Sequence, residues 1–216
     1  MKNINVGIVG LGTVGGGVVR ALLEKRSLLE DRTGLSIRLI KVFDKDTKKL
    51  SKLKIPRHLV AKNVNDLIKD ENIDIVVELI GGVHPAREII LNSLRSGKHV
   101  VTANKALLAK HGEEIFTIAS KYGSKIGFEA SVCGAIPIIK ILQESFASNR
   151  INALYGIVNG TCNFILSKMA DQNFTLKEAL SEAKAKGIAE ANPTLDIEGD
   201  DSCHKLCILA MLAFGK

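Results

Sequence analysis

The chain has 216 residues, of which 46% are hydrophobic, 25% charged and 4% aromatic. This length fits one large domain or two smaller ones, and the apolar fraction is sufficient for a hydrophobic core. The net charge of +7 does not indicate nucleic-acid binding, because the lysines are scattered over predicted helix surfaces and form no basic stripe with stacking aromatics. The charge does suit small anionic ligands.

The N-terminal region lacks the features of a signal peptide, and no apolar run is long enough to span a membrane. We therefore expect a cytoplasmic protein without membrane contact. Its four cysteines, Cys133, Cys162, Cys203 and Cys207, are expected to be reduced. Cys203, His204 and Cys207 form no metal site by themselves, since no second ligand cluster accompanies them, and we expect them to be buried small residues in a helix.

Apolar runs of strand length alternate with segments of helical spacing along most of the chain. The predicted strands cover 4–10, 36–43, 73–80, 98–103 and 124–130. The predicted helices between and after them cover 18–30, 63–70, 85–97, 105–123 and 136–146. Because each strand is apolar throughout, the pattern predicts an α/β fold with a doubly wound parallel sheet covered on both faces. We place a domain boundary at 149/150, so that residues 150–216 begin a second domain.

A glycine pattern of the GxGxxG type follows the first predicted strand and opens a helix. It consists of Gly10, Leu11, Gly12, Thr13, Val14 and Gly15. In this context the first glycine permits a tight turn, the second lets the backbone approach a pyrophosphate, and the third allows close helix–strand packing. The amides at the helix start would then face the phosphate charge. The sequence predicts a Rossmann-like dinucleotide-binding domain at residues 1–149.

The acidic residue that ends the second strand, Asp44, bears on the choice of cofactor. A carboxylate there accepts hydrogen bonds from the adenosine ribose and favours NAD. However, Lys45, Lys48 and Lys49 follow and can offset a 2′-phosphate, so both NAD and NADP stay open. After the third strand, Gly81 fits either a loop that passes close to the cofactor or an ordinary turn, and the sequence does not decide between them.

Lys105 follows the fourth predicted strand, in the segment TANK. Ligands of open parallel sheets bind beyond the carboxyl ends of the strands, so this lysine is expected to project toward the crevice. The alternative is a solvated lysine at a helix start. Since the helix dipole disfavours a cation there, we favour the functional interpretation.

The stretch EANPTLDIEGDDSCHK, at 190–205, holds five acids and one lysine directly before an apolar run. Unpaired carboxylates resist burial, so this crowding raises the question of what the acids hold. Asp201 and Lys205 are four residues apart and share a helix face, with the lysine at the margin of the apolar face. From spacing alone, a positioned lysine and an exposed ion pair are equally open.

Five motifs in this order resemble the homoserine dehydrogenase family. They are GLGTVG, TANKALLA, EASVCGAIPII, GIVNGTCNFIL and EANPTLDIEGDDSCHKLCILA. The resemblance covers nearly the whole chain, and the last two motifs are more specific than the glycine pattern. It implies reversible oxidation of L-homoserine to L-aspartate 4-semialdehyde with NAD or NADP, within threonine and methionine biosynthesis. It also implies that residues 150–216 begin an α+β substrate domain.

The resemblance implies roles for individual residues. Lys205 matches the lysine that transfers the proton, and Lys105 matches the second active-site lysine, which also lies at the cofactor. The positions matched to substrate binding or to orienting the lysine are Glu190, Asp196, Asp201, Gly160 and Thr161. The positions matched to a monovalent-cation site, through oxygens near EASVCGAI, are Glu129, Val132, Gly134 and Ile136.

Two positions depart from the family pattern. Asn192 stands where aspartate is common, and Phe43 stands where a basic residue commonly precedes the acid, which puts NADP preference in doubt. Family members also continue beyond the helix with which this chain ends, so we expect a truncated form. The apolar ending ILAMLAFGK needs a partner surface, and we expect a homodimer.

Two other functions stay open. The first is a nucleotide-binding protein without turnover, and the second is a dehydrogenase of another small amino-acid derivative. Phosphorylating semialdehyde chemistry is disfavoured, because no cysteine is suitably placed as a nucleophile.

Overall fold

The computed structural model describes residues 2–215. The chain forms two compact units, which divide between Ser131 and Val132. This division lies earlier than the domain boundary at 149/150, which the strand and helix pattern suggests and which stays a prediction.

Unit 1 contains a sheet of five strands in the order β2-β1-β3-β4-β5, and all neighbouring strands are parallel. The strands are β1 (Lys2–Val9), β2 (Leu35–Phe43), β3 (Ile75–Glu78), β4 (His99–Thr102) and β5 (Ile126–Gly127). In this order β2 lies on one side of β1, and β3 lies on the other side of β1. The carboxyl ends of β1 and β3 therefore form the topological switch point at which such sheets bind ligands. The predicted doubly wound parallel sheet is confirmed.

The helices of unit 1 connect these strands. They are α1 (Thr13–Glu24), α2 (Arg26–Thr33), α3 (Thr47–Lys52), α4 (Asn65–Ile68), α5 (Ala86–Arg95) and α6 (Lys105–Lys121). The single helix predicted at 18–30 is wrong, because Lys25 leaves helical geometry at φ −113° and ψ 26° and separates α1 from α2. The predicted last strand is also shorter, since only two residues of it pair with β4.

The strands are buried on both faces, as the apolar runs predict. One face packs Ile8 and Val77 against Val19 of α1. The other packs Val9 and Val76 into a separate cluster with residues from α4 and α5. This two-sided burial holds the ends of β1 and β3 in a fixed position.

The described part of unit 2 is helical in all its regular elements. These are α7 (Ile138–Lys140), a π-helical turn (Ile141–Ser145), α8 (Gly160–Gln172), α9 (Leu176–Ala185), α10 (Thr194–Ile197) and α11 (Asp200–Phe214). A capping box at Thr175 and Glu178 starts α9, which packs on α8 around Ile165 and Ala179. Residues 150–159 are outside any helix or strand and bring the chain to α8.

Helix α11 differs from the sequence prediction in its exposed face. Ile208 and Leu209 are buried, whereas Leu206 is 52% exposed. Cys203 and Cys207 are exposed as well, so the expectation that they are buried is wrong. Across residues 2–215, none of the helices combines the length and apolar character needed to span a membrane.

Candidate functional site

A cavity of about 340 Å3 lies at the switch point of unit 1. Gly10 and Gly12 line it from the β1 side, Asp44 from the end of β2, and Gly81 from the loop after β3. These four predicted cofactor residues are therefore brought to one crevice. Lys49, one of the lysines that can offset a 2′-phosphate, lines the same cavity, and so does His84, to which the sequence analysis assigned no role.

The three glycines of the pattern differ in what surrounds them. Gly10 has φ +97°, and a Cβ there would meet the backbone of Leu79 at 2.6 Å. At Gly15 a Cβ would meet the carbonyl oxygen of Gly10 at 2.0 Å. Helix α1 can therefore pack this closely against the end of β1 only because residue 15 is a glycine. At Gly12 a Cβ would meet nothing within 4 Å and would project into open space. The first and third glycines thus serve the fold, and the second leaves room for a ligand.

The start of α1 can accept an anion. Gly12 is the N-cap, and no side chain caps the helix or places an acid in its first turn. Thr13 and Val14 form the first helical positions, and both are exposed. No acidic side chain of the first turn therefore competes with a ligand for the backbone amides at this end. The helix dipole favours a phosphate there.

Asp44 is held at the edge of this crevice by three groups. Its Oδ2 accepts from the backbone N–H of Leu11 at 2.6 Å, and its Oδ1 accepts from the N–H of Asp46 at 2.8 Å. The Lys49 ammonium lies 3.1 Å from Oδ2. Burial alone raises the pKa of Asp44, but the two amides and the ammonium outweigh it and hold that pKa below its usual range. The carboxylate is therefore ionised and already oriented.

A buried hydrogen-bond network joins the carboxyl ends of β3 and β4. Glu78 is fully buried, accepts from the N–H of Ile80 at 2.8 Å and accepts from the Thr102 hydroxyl at 2.7 Å. Asn104 donates to the carbonyl of Gly82 at 2.6 Å and caps α6 through its Oδ1. Lys105 is the first residue of α6, so this network fixes where its backbone leaves the sheet.

Lys205, the last residue of the acidic stretch, donates to one acceptor within that stretch and to one outside it. Its Nζ donates to Asp201 Oδ2 at 2.7 Å and to the carbonyl oxygen of Val158 at 2.6 Å. The side chains of Lys205 and Asp201 are only 18% and 12% exposed. The pair is thus partly desolvated and held by a third group, which an ordinary surface ion pair lacks.

Asn159 connects this pair to a second carboxylate. Its Nδ2 donates to Asp201 Oδ2 at 2.9 Å and to Asp196 Oδ1 at 2.7 Å, while its Oδ1 accepts from the N–H of Cys162. The structure therefore brings Asp196, Asp201 and Lys205 into one cluster. The sequence analysis missed Asn159, although an asparagine before the helical pattern at Gly160 signals an N-cap.

Cys162 lies beside the same carboxylates. Its Sγ donates to the carbonyl oxygen of Asp196 at 3.0 Å. Burial raises the pKa of the Cys162 thiol, and the charges of Asp196 and Asp201 raise it further. A thiol held in its neutral form is a poor nucleophile, so Cys162 offers no support for phosphorylating semialdehyde chemistry, which the sequence disfavours.

The remaining predicted substrate residues are placed differently. Thr161 is buried and donates to the carbonyl of Ile188, which ties α8 to the segment after α9. Glu190 is exposed and lies two residues further along the chain. Gly160 is the first residue of α8, next to the cap.

The segment predicted to bind a monovalent cation has an unusual backbone. Cys133 and Ala135 both have positive φ, at 49° and 68°, which costs energy in non-glycine residues. They alternate with Val132, Gly134 and Ile136, whose oxygens the resemblance assigns to the cation. The N–H of Ile138 already donates to the oxygen of Ile136 at 2.8 Å. Glu129 lies in a short 3₁₀ turn, Glu129–Ser131, that precedes this segment.

Comparisons with known proteins cover both units. The family model for the homoserine dehydrogenase NAD binding domain matches residues 10–129, and the model for homoserine dehydrogenase matches residues 137–216. The homoserine dehydrogenase of Neisseria gonorrhoeae is 46% identical over 100% of this chain and 49% of its own length. A crystal structure of a homoserine dehydrogenase from Thiobacillus denitrificans has a TM-score of 0.90 and 49% identity, covering 100% of this chain and 50% of that one.

A hyperthermophilic archaeal homoserine dehydrogenase, solved in complex with NADPH, is more distant. Its TM-score is 0.82 at 28% identity, and the match covers 99% of this chain and 70% of that one. The chain thus spans about half the length of the curated relatives it matches. Since the family models together match most of its residues, the chain belongs to the homoserine dehydrogenase family.

Proposed function

We propose that this chain carries the cofactor site and the proton-transfer site of an oxidoreductase that interconverts L-homoserine and L-aspartate 4-semialdehyde with NAD or NADP. The observation that carries the proposal is the partly buried cluster around Lys205, in which one lysine lies between Asp201 and a backbone carbonyl. Membership of the family supports the same activity.

The residues of the crevice fit a dinucleotide. The amides at the start of α1 would hold the pyrophosphate, and Gly12 leaves the space for it. Asp44 would accept from the ribose hydroxyls, which favours NAD, whereas Lys45 and Lys49 line the cavity and suit the 2′-phosphate of NADP. An archaeal relative was solved with NADPH, so both cofactors belong in the test.

The cluster in unit 2 suits an amino-acid substrate. Asp196 and Asp201 bring two carboxylates and Lys205 brings one ammonium, so the cluster has an excess of negative charge. Such an excess favours a cationic group, and the α-ammonium of homoserine provides one. Glu190 has an exposed carboxylate, which we propose as a further contact to that ammonium.

Lys205 would act as the general base and, in the reverse direction, as the general acid. The bound nicotinamide supplies a hydride acceptor for the hydroxyl-bearing carbon. As the neutral amine, after loss of one ammonium proton, Lys205 would take the hydroxyl proton during oxidation, and as the ammonium it would return a proton to the carbonyl oxygen during reduction. Its two acceptors hold the nitrogen in position, so little reorganisation is needed at the moment of transfer.

Lys105 and the cation segment would support this chemistry. Lys105 begins α6 at the carboxyl end of β4, where a positive charge can stabilise a developing oxyanion. A monovalent cation at the oxygens of Val132, Gly134 and Ile136 is supported by the two left-handed residues between them, which set the direction of those carbonyls. Replacing potassium by a large organic cation in the assay tests this part.

We further propose a cytoplasmic homodimer. All four cysteines are free, which suits a reducing compartment. Unit 2 exposes large apolar side chains, of which Tyr155 is 93% and Ile157 is 72% exposed, and these favour a partner surface. Light scattering at increasing protein concentration should give twice the chain mass, and a monomer at all concentrations contradicts the dimer.

The decisive experiment measures homoserine-dependent reduction of NAD and of NADP. It compares this chain with a form extended to the length of its relatives, and calorimetry measures nucleotide binding to each. Reduction by either form supports the proposal. If both forms are folded and bind nucleotide but neither reduces it with homoserine, the protein is a nucleotide-binding protein without this turnover and the proposal is wrong.

A further inference from the structure

The side chain of Asn159 lies at the centre of the cluster in unit 2. It is 7% exposed and contacts two carboxylates and one backbone amide. We infer that Asn159 is a positioning residue, which holds Asp196 and Asp201 at a fixed separation and thereby fixes the orientation of Lys205. This inference deepens the proposed function and rests on it for its catalytic consequence.

The orientation of the amide follows from its partners. A carboxylate only accepts hydrogen bonds and a backbone N–H only donates, so the NH2 group must face Asp196 and Asp201 while the oxygen faces Cys162. Both hydrogens of Nδ2 are used. The two carboxylate oxygens therefore cannot lie farther apart than the sum of their distances to one nitrogen atom.

The Asn159 amide is an uncharged donor between two carboxylates, and this affects the net charge of the cluster. Two like charges held close together repel each other, and an arginine or lysine between them would relieve the repulsion by neutralising them. The amide of Asn159 holds the pair without adding a charge. The excess negative charge of the cluster is thus preserved for a cationic ligand, as the proposed substrate requires.

Asn159 also connects to Lys205 through two routes. Asp201 Oδ2 accepts from both Asn159 and Lys205, so the amide sets the position of the oxygen to which the lysine binds. The other acceptor of Lys205 is the carbonyl of Val158, the residue directly before Asn159. Since Asn159 is the N-cap of α8, its cap hydrogen bond also fixes that carbonyl.

The competing explanation is that Asn159 only caps α8. Serine caps helices about as well as asparagine, but its shorter side chain has no NH2 group for the carboxylates. In an Asn159→Ser variant we expect kcat with homoserine to fall roughly a hundredfold, the size of effect that a misplaced reacting group produces. The affinity for NAD(P) should not change, because the nucleotide residues lie in unit 1.

A cap variant away from the cluster provides the control. Thr175 caps α9 through a capping box and is exposed. Thr175→Ala should lower the melting temperature and leave kcat unchanged. If Asn159→Ser behaves in the same way as Thr175→Ala, Asn159 is only a helix cap and the inference is wrong.

A second variant separates charge from shape. Aspartate is also a good N-cap, so Asn159→Asp should be harmless if capping is the only role. If the NH2 group holds the two carboxylates, the added oxygen repels both, and kcat should fall more than in Asn159→Ser. Near-normal turnover in Asn159→Asp contradicts the inference.

A labelling experiment decides the inference independently of turnover. Acetic anhydride acylates free amines, and mass spectrometry compares Lys205 with the exposed Lys177 in the same digest. Loss of the Asn159 amide should release Lys205 from its acceptors and raise its relative acylation severalfold in Asn159→Ser. An unchanged ratio overturns the inference. If the unaltered protein lacks homoserine activity, the proposed function fails, whereas the labelling ratio still tests the role of Asn159.

Discussion

The backbone N–H of Leu11 donates to Asp44 Oδ2 at 2.6 Å, which joins the glycine loop after β1 to the acid that ends β2. The N–H of Gly10 donates to the carbonyl of Phe43 at 2.9 Å and supports the same junction. Two segments that a dinucleotide would contact together are therefore already fixed to each other. A preorganised site of this kind binds its ligand without first ordering its loops.

The first prediction concerns the stability provided by Asp44. Its pKa is lower in the folded protein than in the unfolded chain, so the ionised form favours folding. This contribution is fully present above the unfolded pKa of about 3.9 and is lost as the pH falls through the lower folded pKa. Asp44→Asn should lower the free energy of unfolding at pH 7. In the variant, the free energy of unfolding should also decrease less steeply as the pH falls through that acid range.

Urea unfolding at a series of pH values measures this effect. Asp31→Asn, which changes an exposed carboxylate of α2, serves as the control and should leave the curve close to that of the unaltered protein. If Asp44→Asn and Asp31→Asn give the same curve, the contacts of Asp44 do not stabilise the fold.

The second prediction concerns two glycines of the same helix. A Cβ at Gly12 would meet nothing within the protein, so Gly12→Val should fold normally but fill the space for the pyrophosphate and abolish NAD(P) binding. A Cβ at Gly17 also meets nothing within 4 Å, and Gly17 lies inside α1 away from the cavity lining. Gly17→Ala should therefore keep binding and stabilise the fold by about 0.5–1 kcal/mol.

Calorimetry with NAD and NADP, together with thermal unfolding, distinguishes the two variants. Unchanged nucleotide affinity in Gly12→Val contradicts the assignment of the crevice. Loss of binding in Gly17→Ala would show that any change in α1 disturbs the site.

Local sequence signals predicted much of unit 1 because its features depend on near neighbours. The apolar runs predicted the five parallel strands, and the glycine spacing predicted which positions serve packing and which leaves space. The break at Lys25 could not be predicted in this way, since leucines continue at helical spacing on both sides of it. The spacing of apolar residues is the same on both sides of Lys25, so it gives no sign that one helix ends and another begins there.

Asn159 shows a different limit. Its capping role can be recognised locally, because asparagine before a helical segment is a common N-cap. Its two carboxylate partners lie 37 and 42 residues further along the chain, and their contact depends on how α10 and α11 return to α8. The family resemblance supplied Asp196 and Asp201, but the residue that joins them is visible only in the fold.

The third prediction concerns the reactivity of Cys162. Burial and the charges of Asp196 and Asp201 raise the pKa of its thiol, so little thiolate is present near neutral pH. Iodoacetamide should therefore alkylate Cys162 much more slowly than the exposed Cys203. Asp196→Asn removes one of the two charges and should accelerate the reaction of Cys162, which peptide mass spectrometry measures. Equal rates at Cys162 and Cys203 in the unaltered protein contradict this prediction.

The last prediction tests whether Lys205 transfers the proton. Lys205→Met should keep NAD(P) binding and lower kcat by roughly a hundredfold to ten-thousandfold, the usual contribution of general acid–base catalysis. Lys205→Arg should be nearly as damaging, because guanidinium does not release its proton near neutral pH. Asp201→Asn should do less harm, since the amide keeps the shape and one acceptor for Lys205.

The matched control is another lysine–acid pair with the same spacing. Lys186 lies 2.7 Å from Glu182, four residues away, as Lys205 does from Asp201, but the Lys186 side chain is 53% exposed. Lys186→Met should leave kcat unchanged and cost at most about 1 kcal/mol of stability, as for other exposed pairs. If Lys205→Met gives the same result as Lys186→Met, the two pairs are equivalent and Lys205 is not the proton-transfer group. A steep loss of kcat in Lys205→Met alone supports the catalytic assignment, because both substitutions remove a lysine that pairs with an acid four residues earlier.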